Sequence, residues 1–352
     1  MSAGLFSLYP LARPLLFALP AETAHDVSLS GLEFANRWMG ALLPESRPIP
    51  RYQSEQGPIH VAGLKFSNRV GLAAGLDKNA AHIDALGRFG FGFIEVGTVT
   101  PLAQPGNPKP RMFRISGAQA IVNRFGFNNL GLQAFIENVQ RSKWVQERRG
   151  ILGLNIGKNA ATPVELALDD YRIGLAAVFP YADYITINIS SPNTKALRSL
   201  QASETLRALL EPLREDQARL SQQHSKRVPL FLKIAPDLDT DEIDAIAETC
   251  NSIGIEGLIA TNTTLDRAAV DGMPNATETG GLSGAPLLGK SNTVLARFKQ
   301  QLLPTTALIG VGGIASAGDG QTKRAAGADL VQVYSGLIYR GPGLVADLAK
   351  AL

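Results

Sequence analysis

Eight apolar runs in this 352-residue chain are each followed by residues that could bind or do chemistry. The first leads into Ala74-Gly75-Leu76-Asp77-Lys78-Asn79, and the second carries Thr98. Later runs end in Asn155, in Asn188-Ile189-Ser190-Ser191-Pro192-Asn193-Thr194, in Lys233, and in Thr261-Asn262-Thr263-Thr264. The last two end in Gly312-Gly313 and in Tyr334-Ser335-Gly336. Glycines there let backbone N–H groups approach a phosphate, although glycine after a strand is also ordinary turn chemistry. Asn123, Asn188, Asn193 and Asn262 can each donate and accept, so together they suit a planar, imide-like ring better than an anionic sugar phosphate.

Lys78 and Lys233 follow apolar runs and open Gly- or Pro-containing loops, which points them into a pocket mouth. A lysine at the pyrimidine edge of a flavin would stabilise the anionic reduced ring. At ~4 Å and an effective dielectric near ~20 the gain is about 4 kcal/mol before desolvation, and Lys233 is the candidate. No His, Cys or Glu accompanies the asparagines as a base. Ser191, restricted by Pro192, is the available hydroxyl. A serine base needs a proton relay, through Thr194 and water for instance, and a site closed to solvent. The residues alone leave Ser191 open between base and hydrogen-bonding group.

The elements that must position these groups read as strand then helix, eight times. The strand runs are 69–73, 92–97, 150–156, 183–189, 229–234, 256–261, 306–311 and 329–334, and they lack polar alternation, as parallel strands buried on both faces do. Helix-like stretches include 131–147, 203–224, 241–253, 292–303 and 315–326. The pattern predicts an α/β fold, a (β/α)8 TIM barrel over residues 58–352. An open doubly wound sheet is disfavoured because the first strand is not followed by G-x-G-x-x-G. Before the barrel, 10–19 and 22–39 read as two helices, with Gly40 as a stop, in a small N-terminal extension over 1–40. His25, Leu29, Leu32, Asn36 and Met39 share one helical face, and 41–57 reads as a linker.

Composition narrows the partners. A net charge of +3 with no Lys/Arg run argues against nucleic acid. One cysteine, Cys250, and scattered His25, His60, His82 and His224 argue against disulfides and a metal site. No apolar stretch is long enough to span a bilayer, and the 15–19 run lacks a basic leader, against a signal peptide. Yet the prefix, with Leu5, Phe6, Leu8, Leu11, Leu15, Leu16, Phe17 and Trp38, has more apolar surface than two short helices can bury against each other.

At Ala74–Asn79, Gly97–Arg114, Asn123–Asn129, Asn188–Thr194, Thr261–Arg267, Gly280–Gly284 and Tyr334–Gly336 the chain resembles the dihydroorotate dehydrogenases, specifically the membrane-associated class 2 enzymes. The resemblance runs from about residue 7 to the end. It implies oxidation of dihydroorotate to orotate in pyrimidine biosynthesis by one FMN per chain, re-oxidised by a membrane quinone. It also implies peripheral attachment to lipid on the cytoplasmic side of the inner membrane. By resemblance, Ala74, Gly75, Leu76, Asp77, Lys78, Thr98, Asn155, Asn188, Lys233, Thr261, Gly284, Gly313, Tyr334 and Ser335 hold FMN. Lys78, Asn123, Arg124, Phe125, Gly126, Phe127, Asn188, Asn193, Asn262 and Thr263 hold dihydroorotate. Ser191 becomes the base, taking a proton from C5 while hydride leaves C6; class 1 relatives carry cysteine there. His25 and Arg114 match quinone-contacting positions, in a two-helix extension that lies in the membrane surface.

Four positions depart from the family pattern. Ala80 stands where glycine is common, Lys195-Ala196 replace Pro-Gly after the Ser191 loop, and Phe125 replaces a frequent methionine. The alternatives are an FMN barrel with a soluble acceptor, a non-redox barrel using Lys233 as a Schiff-base lysine, and a non-catalytic membrane-surface flavoprotein.

Overall fold

In the computed structural model, residues 9–42, 58–194 and 196–352 are described. Two helices come first, α1 (Tyr9–Ala18) and α2 (Ala21–Leu42). A hairpin of β1 (Ile59–Val61) and β2 (Leu64–Phe66) follows. Eight parallel strands then close on themselves: β3 (Val70–Leu72), β4 (Phe93–Val99), β7 (Ile151–Ile156), β8 (Tyr184–Asn188), β9 (Leu230–Ile234), β10 (Gly257–Ala260), β12 (Ala307–Val311) and β13 (Leu330–Val333). These are the eight predicted strand runs, each trimmed by a residue or two or, for β4, extended. The barrel expectation is met.

Alternation along each strand sorts side chains to two cores. Outward residues such as Ile94, Val96, Leu152, Leu154, Ile185 and Leu232 pack beneath the surrounding helices. Inward residues fill the barrel, and its lower part is apolar: Phe93, Tyr184, Phe231, Ile259, Ile309 and Leu330, with Ile59 and Phe66 of the hairpin. The aromatic rings fit because glycine faces them. A Cβ on Gly71 would stand 2.2 Å from the Phe93 ring, on Gly153 2.1 Å from Tyr184, and on Gly257 2.1 Å from Phe231. One step higher, the inward positions become polar: Glu95, Asn155, Thr186, Lys233 and Gln332, all buried. The site rests on that layer.

Helices α6 (Ala167–Val178), α7 (Ser203–His224), α8 (Thr240–Ile253), α9 (Leu288–Gln301), α10 (Ala317–Ala325), α11 (Ser335–Arg340) and α12 (Gly343–Ala351) follow the later strands. Several boundaries differ from the sequence reading: the helix expected over 292–303 starts four residues earlier, at Leu288, and ends at Gln301, and that expected over 315–326 is shorter, Ala317–Ala325. Residues 131–147 form not one helix but α4 (Gly131–Arg141) and α5 (Lys143–Gln146). The break is at Ser142, whose Oγ donates to Asp84 at 2.7 Å while the same carboxylate accepts the N–H of Trp144 at 2.8 Å. That pull from α3 (Ile83–Gly87) ends the first helix and starts the second. The capping box of Asp239 with Glu242 starts α8 a residue earlier than expected. Gly40 does not stop α2, which runs to Leu42; one interior glycine costs a helix only about 1 kcal/mol against alanine. The predicted linker therefore overlaps the helix at 41–42, and its remainder lies outside the described residues.

The sequence reading missed a second sheet. β5 (Met112–Ile115), β6 (Ala120–Asn123) and β11 (Gly281–Gly284) pair antiparallel above the barrel. Each strand has four residues and no long apolar run, so only the 116–119 turn between β5 and β6 could have signalled it. This sheet carries Asn123 and Gly284 to the barrel mouth.

Substituting Gly153 with alanine is expected to drive its methyl into Tyr184 and destabilise the fold by about 1–3 kcal/mol. Urea unfolding followed by circular dichroism measures it.

Candidate active site

A cavity occupies the barrel mouth, ringed by the strand-end segments. It is lined by Ala74, Gly75, Lys78, Thr98, Asn188, Ser191, Lys233, Thr261, Asn262, Thr263, Gly313, Tyr334 and Ser335 from the barrel rim. Asn123, Phe125, Gly126, Phe127 and Gly284 come from the added sheet and the loop after it, and Asn193 from the segment following β8. The sequence-predicted residues named here thus converge on one space. Four others do not line it. Leu76 faces a second cavity under the helices. Asp77 is buried and caps the next turn, accepting the N–H groups of Ala81 and His82 at 2.9 and 2.7 Å. Asn155 lies one layer below, accepting from Thr98 Oγ1 at 2.6 Å. Arg124 turns outward to Glu278 at 2.7 Å and stacks over Phe113. It clamps the rim from outside.

Ser191 is buried, and its Oγ accepts the Asn193 N–H at 3.2 Å. That leaves its own O–H free for the cavity. The hydroxyls of Thr194 and Thr263 are buried without a partner among the described residues, and Thr263 lines the mouth. An orphaned buried hydroxyl costs free energy unless something fills its valence, so Thr263, on the cavity wall, points to a polar occupant. Arg198, which sequence reasoning missed, holds the Ser191 segment. It donates to Ser190 O at 3.1 Å, Asp237 at 2.9 Å and Thr263 O at 2.8 Å, tying three strand ends together. Burial pushes the Asp237 carboxyl up, but hydrogen bonds from Lys290, Thr264, the Leu265 N–H and Arg198 outweigh it and hold it down to about 2. The clamp stays ionised at physiological pH.

Lys233 is buried at the floor of the cavity, and burial lowers its pKa from the usual lysine range. Lys78 sits across the mouth, its Nζ 4.0 Å from the centre of the Phe125 ring. Burial, then the charge of Arg111, drives Lys78 down to about 8. Phe125, the departure from methionine, therefore gives Lys78 a cation–π partner.

The two N-terminal helices cover a second, apolar cavity of about 330 Å³. Leu16, Phe17, Ala24, His25 and Leu29 line it from the helices; Leu76, Leu86, Phe89, Met112, Arg114 and Ile338 line it from the barrel. Leu76 and its neighbours Gly75 and Lys78 place one loop between the two cavities. Glu22 anchors α2 by ion pairs to Arg111 at 2.8 Å and Lys109 at 3.2 Å, and Arg13 anchors α1 through Tyr339 O at 2.9 Å. Arg114 bonds Leu16 O at 3.3 Å and Leu19 O, with Phe17 stacked 4.5 Å away. Facing away from the cavity, Leu11 and Leu15 are 73% and 75% exposed, and Phe34 and Trp38 63% and 59%. These are large apolar side chains left to solvent on both helices. No helix is long and apolar enough to cross a membrane, and no metal-binding cluster occurs, among the described residues.

A family model for dihydroorotate dehydrogenase matches residues 58–352. Over 354 residues the chain is 57% identical to the dihydroorotate dehydrogenase (quinone) of Bordetella avium, covering 99% of this chain and 98% of that protein. The same-named proteins of Bordetella pertussis and Leptothrix cholodnii are 58% and 56% identical, over 99% and 98% of this chain and 98% of each of theirs. The crystal structure of Eimeria tenella DHODH in complex with ferulenol superposes with a TM-score of 0.82 at 39% identity, covering 93% of this chain and 89% of that one. The ligand-free form of that enzyme gives 0.80, at 39% identity and with 90% and 92% covered.

His25 yields a test of the docked helices. Burial first, and then the charges of Lys78 and His82, push its imidazole down to about 3 from an ordinary 6.5. The undocked form takes up a proton near 6.5 while the docked form resists. Docking is therefore fully stable above pH about 6.5 and weakens as pH falls toward 3. Limited proteolysis is expected to release the extension progressively faster between pH about 7.5 and about 5, with His25→Gln flattening the dependence.

Proposed function

The chain belongs to the dihydroorotate dehydrogenase family, and from that premise we propose that its barrel mouth seats FMN with dihydroorotate stacked on it, while the apolar cavity admits the quinone. The enzyme is a quinone-dependent, flavin-dependent oxidoreductase that oxidises dihydroorotate in pyrimidine biosynthesis. The observation that carries the placement is the convergence of predicted flavin and substrate residues on one cavity, one loop away from an apolar chamber.

FMN, when bound, supplies the hydride acceptor for C6 of the substrate. In this reading the turns at Gly313 and Ser335 hold its phosphate through backbone N–H groups, and Gly284 and Tyr334 flank them. The cavity's unpartnered Thr263 hydroxyl and its polar rim fit a ligand with several polar edges. Lys233 places a positive charge where negative charge grows on reduction, and Thr98 and Thr261 close the floor. Asn123, Asn193, Asn262 and the second face of Asn188 meet the alternating N–H and C=O groups of dihydroorotate. Lys78, Gly126 and Phe127 close over it, and Phe125 steadies Lys78.

Ser191 Oγ takes the C5 proton. The Asn193 N–H stabilises negative charge on that oxygen as its own proton leaves, and Thr194 with water would serve as the relay for that proton. Burial of Ser191 keeps bulk water from competing. His25, neutral across the physiological range, and Arg114, at the helix edge, would contact the quinone as hydrogen-bond donors. The exposed Leu11, Leu15, Phe34 and Trp38 would enter the headgroup region of the cytoplasmic face of the inner membrane, where the quinone resides.

Anaerobic mixing of purified protein with dihydroorotate is expected to bleach the flavin band, and quinone addition to restore it. Ser191→Ala should retain the flavin and slow bleaching by about 10²–10⁴-fold, the range for a lost acid–base group. Bleaching at the parent rate would remove Ser191 from the base role. Deleting residues 1–42 is expected to leave bleaching intact while abolishing quinone re-oxidation and co-sedimentation with liposomes. Full quinone turnover in the truncated protein would refute the chamber as the quinone site.

A further inference from the structure

Glu95 is buried in the interior of β4, where the other inward positions at its level are neutral or, in Lys233, cationic. Three donors reach it and it donates to none: Asn155 Nδ2 at 2.7 Å, Gln332 Nε2 at 2.8 Å and Tyr184 Oη at 2.9 Å. A carboxylate accepts only, so its donors have no choice of direction. That constraint propagates. With Asn155 Nδ2 committed to Glu95, its Oδ1 must accept, and Thr98 Oγ1 donates to it at 2.6 Å. Thr98, its proton spent, accepts from Asn188 Nδ2 at 2.9 Å. Asn188 Oδ1 then accepts from Ser190 Oγ at 3.0 Å, and Ser190 accepts from Asn262 Nδ2 at 3.0 Å. Asn262 Oδ1 is left to accept the Thr263 N–H at 2.8 Å. One chain of bonds crosses the barrel from floor to rim, and the side-chain protons in it all point toward Glu95.

We propose that Glu95 is a positioning residue for the oxidation, fixing which amide edges and hydroxyls Thr98, Asn188 and Asn262 turn toward the flavin and the substrate. The inference rests on the seating of both ligands at this rim, as proposed above. An amide can be reversed in place with little change of shape, so packing alone does not choose its orientation. An acceptor-only terminus does. Glu95 has a second effect at the same level, because its charge partly offsets the burial that disfavours the Lys233 ammonium. A neutral residue at this position would loosen both the chain's direction and that charge. Gln332 supports the assignment: it uses its amide as a donor to Glu95, while its own Oε1 stays buried without a partner among the described residues.

The plainer alternative is that Glu95 fills a polar hole in the core and matters to stability alone. Two variants separate these. Glu95→Met removes the acceptor at nearly constant volume. The exchange Glu95→Gln with Gln332→Glu moves the carboxylate one step around the barrel. There it can accept from Tyr184 and from the amide introduced on β4, leaving that amide's oxygen for Asn155. All measurements are made on flavin-loaded full-length protein, after the parent has been shown to be bleached by dihydroorotate, so failure of the seating itself is seen first. Glu95→Met is expected to slow anaerobic bleaching and weaken orotate binding, read from the flavin spectrum, by about ten- to a hundredfold, the range for a lost hydrogen bond to a charged group. The exchange variant is expected to return both to within about tenfold of the parent. Overturning results are a Glu95→Met protein changed only in melting temperature, or a flavin-loaded exchange variant beyond about tenfold down. Should Glu95→Met fail to hold flavin, the exchange variant decides alone.

Discussion

A parallel barrel offers its interior to side chains alone, because every strand's backbone is spent on its neighbours. Whatever stands inside must therefore fill volume or satisfy other side chains, and here the interior does both in layers. Phe93, Tyr184 and Phe231 fill the bottom against facing glycines. Above them Glu95, Asn155, Gln332 and Lys233 form a polar floor, buried away from water. Burying that many polar groups costs least where they satisfy one another, and the bonds on Glu95 from Asn155, Tyr184 and Gln332 of three strands do much of this. Tyr184 belongs to both layers: its ring packs 4.9 Å from Phe231 while its hydroxyl donates to Glu95. The packing of the lower barrel thus sets the position of the polar floor, and the floor sets the orientation of the mouth.

The outer parts hang on this frame through a few directional contacts. Arg198 gathers the ends of β8, β9 and β10 from the solvent side. Arg111 does the comparable job on the other flank. It donates to Pro105 O at 2.6 Å and Asn107 O at 3.0 Å, and pairs with Glu22 of α2. Asn107 in turn donates to Arg124 O at 2.8 Å, next to Phe125. One guanidinium therefore links the helices over the apolar cavity to the loop that covers the mouth. The helices themselves bury little: no residue of α1 is fully buried, and α2 buries Ala24 and Leu29. Such polar contacts therefore add to the packing of Phe17, Ala21, Leu29 and Leu32 in holding them.

Much of this could be read in the residues. Eight apolar runs without alternation gave the barrel, and the polar residues after each run gave the mouth, because a barrel leaves strand ends nowhere else to go. The face of α2 was legible too, with Leu29 buried and Asn36 bonded to Arg88. Long-range partners were not. Arg198 and Arg111 act through bonds to residues 39 and 89 positions away, for which spacing carries no signal. Glu95 had a signal that was passed over: a lone carboxylate inside Phe93–Val99, a run otherwise fit for burial on both faces. A charge in such a strand must be partnered or functional. The short sheet of β5, β6 and β11 escaped because four-residue strands are too brief for periodicity to show.

The two departures from glycine show how local strain is distributed around the mouth. Ala80 and Ala196 both adopt left-handed backbone, with φ of 56° and 54°. For alanine that conformation costs about 1–2 kcal/mol, which glycine would escape. Each is held by bonds beside it. Next to Ala80, Asp77 accepts the N–H groups of Ala81 and His82, so the turn is fixed whichever residue occupies it. Ala196 opens the turn Leu197–Gln201, and its carbonyl accepts from Ser199 Oγ at 2.6 Å while Arg198 in the same turn reaches Ser190. Alanine also narrows the unfolded ensemble relative to glycine, which offsets part of the cost. At both places the chain gives up glycine's freedom in segments that border the substrate-side mouth, where excess mobility would widen the range of Ser191 and Lys78 positions. The strain is local, and the contacts beside it lie in the same loops that carry Lys78 and Ser191.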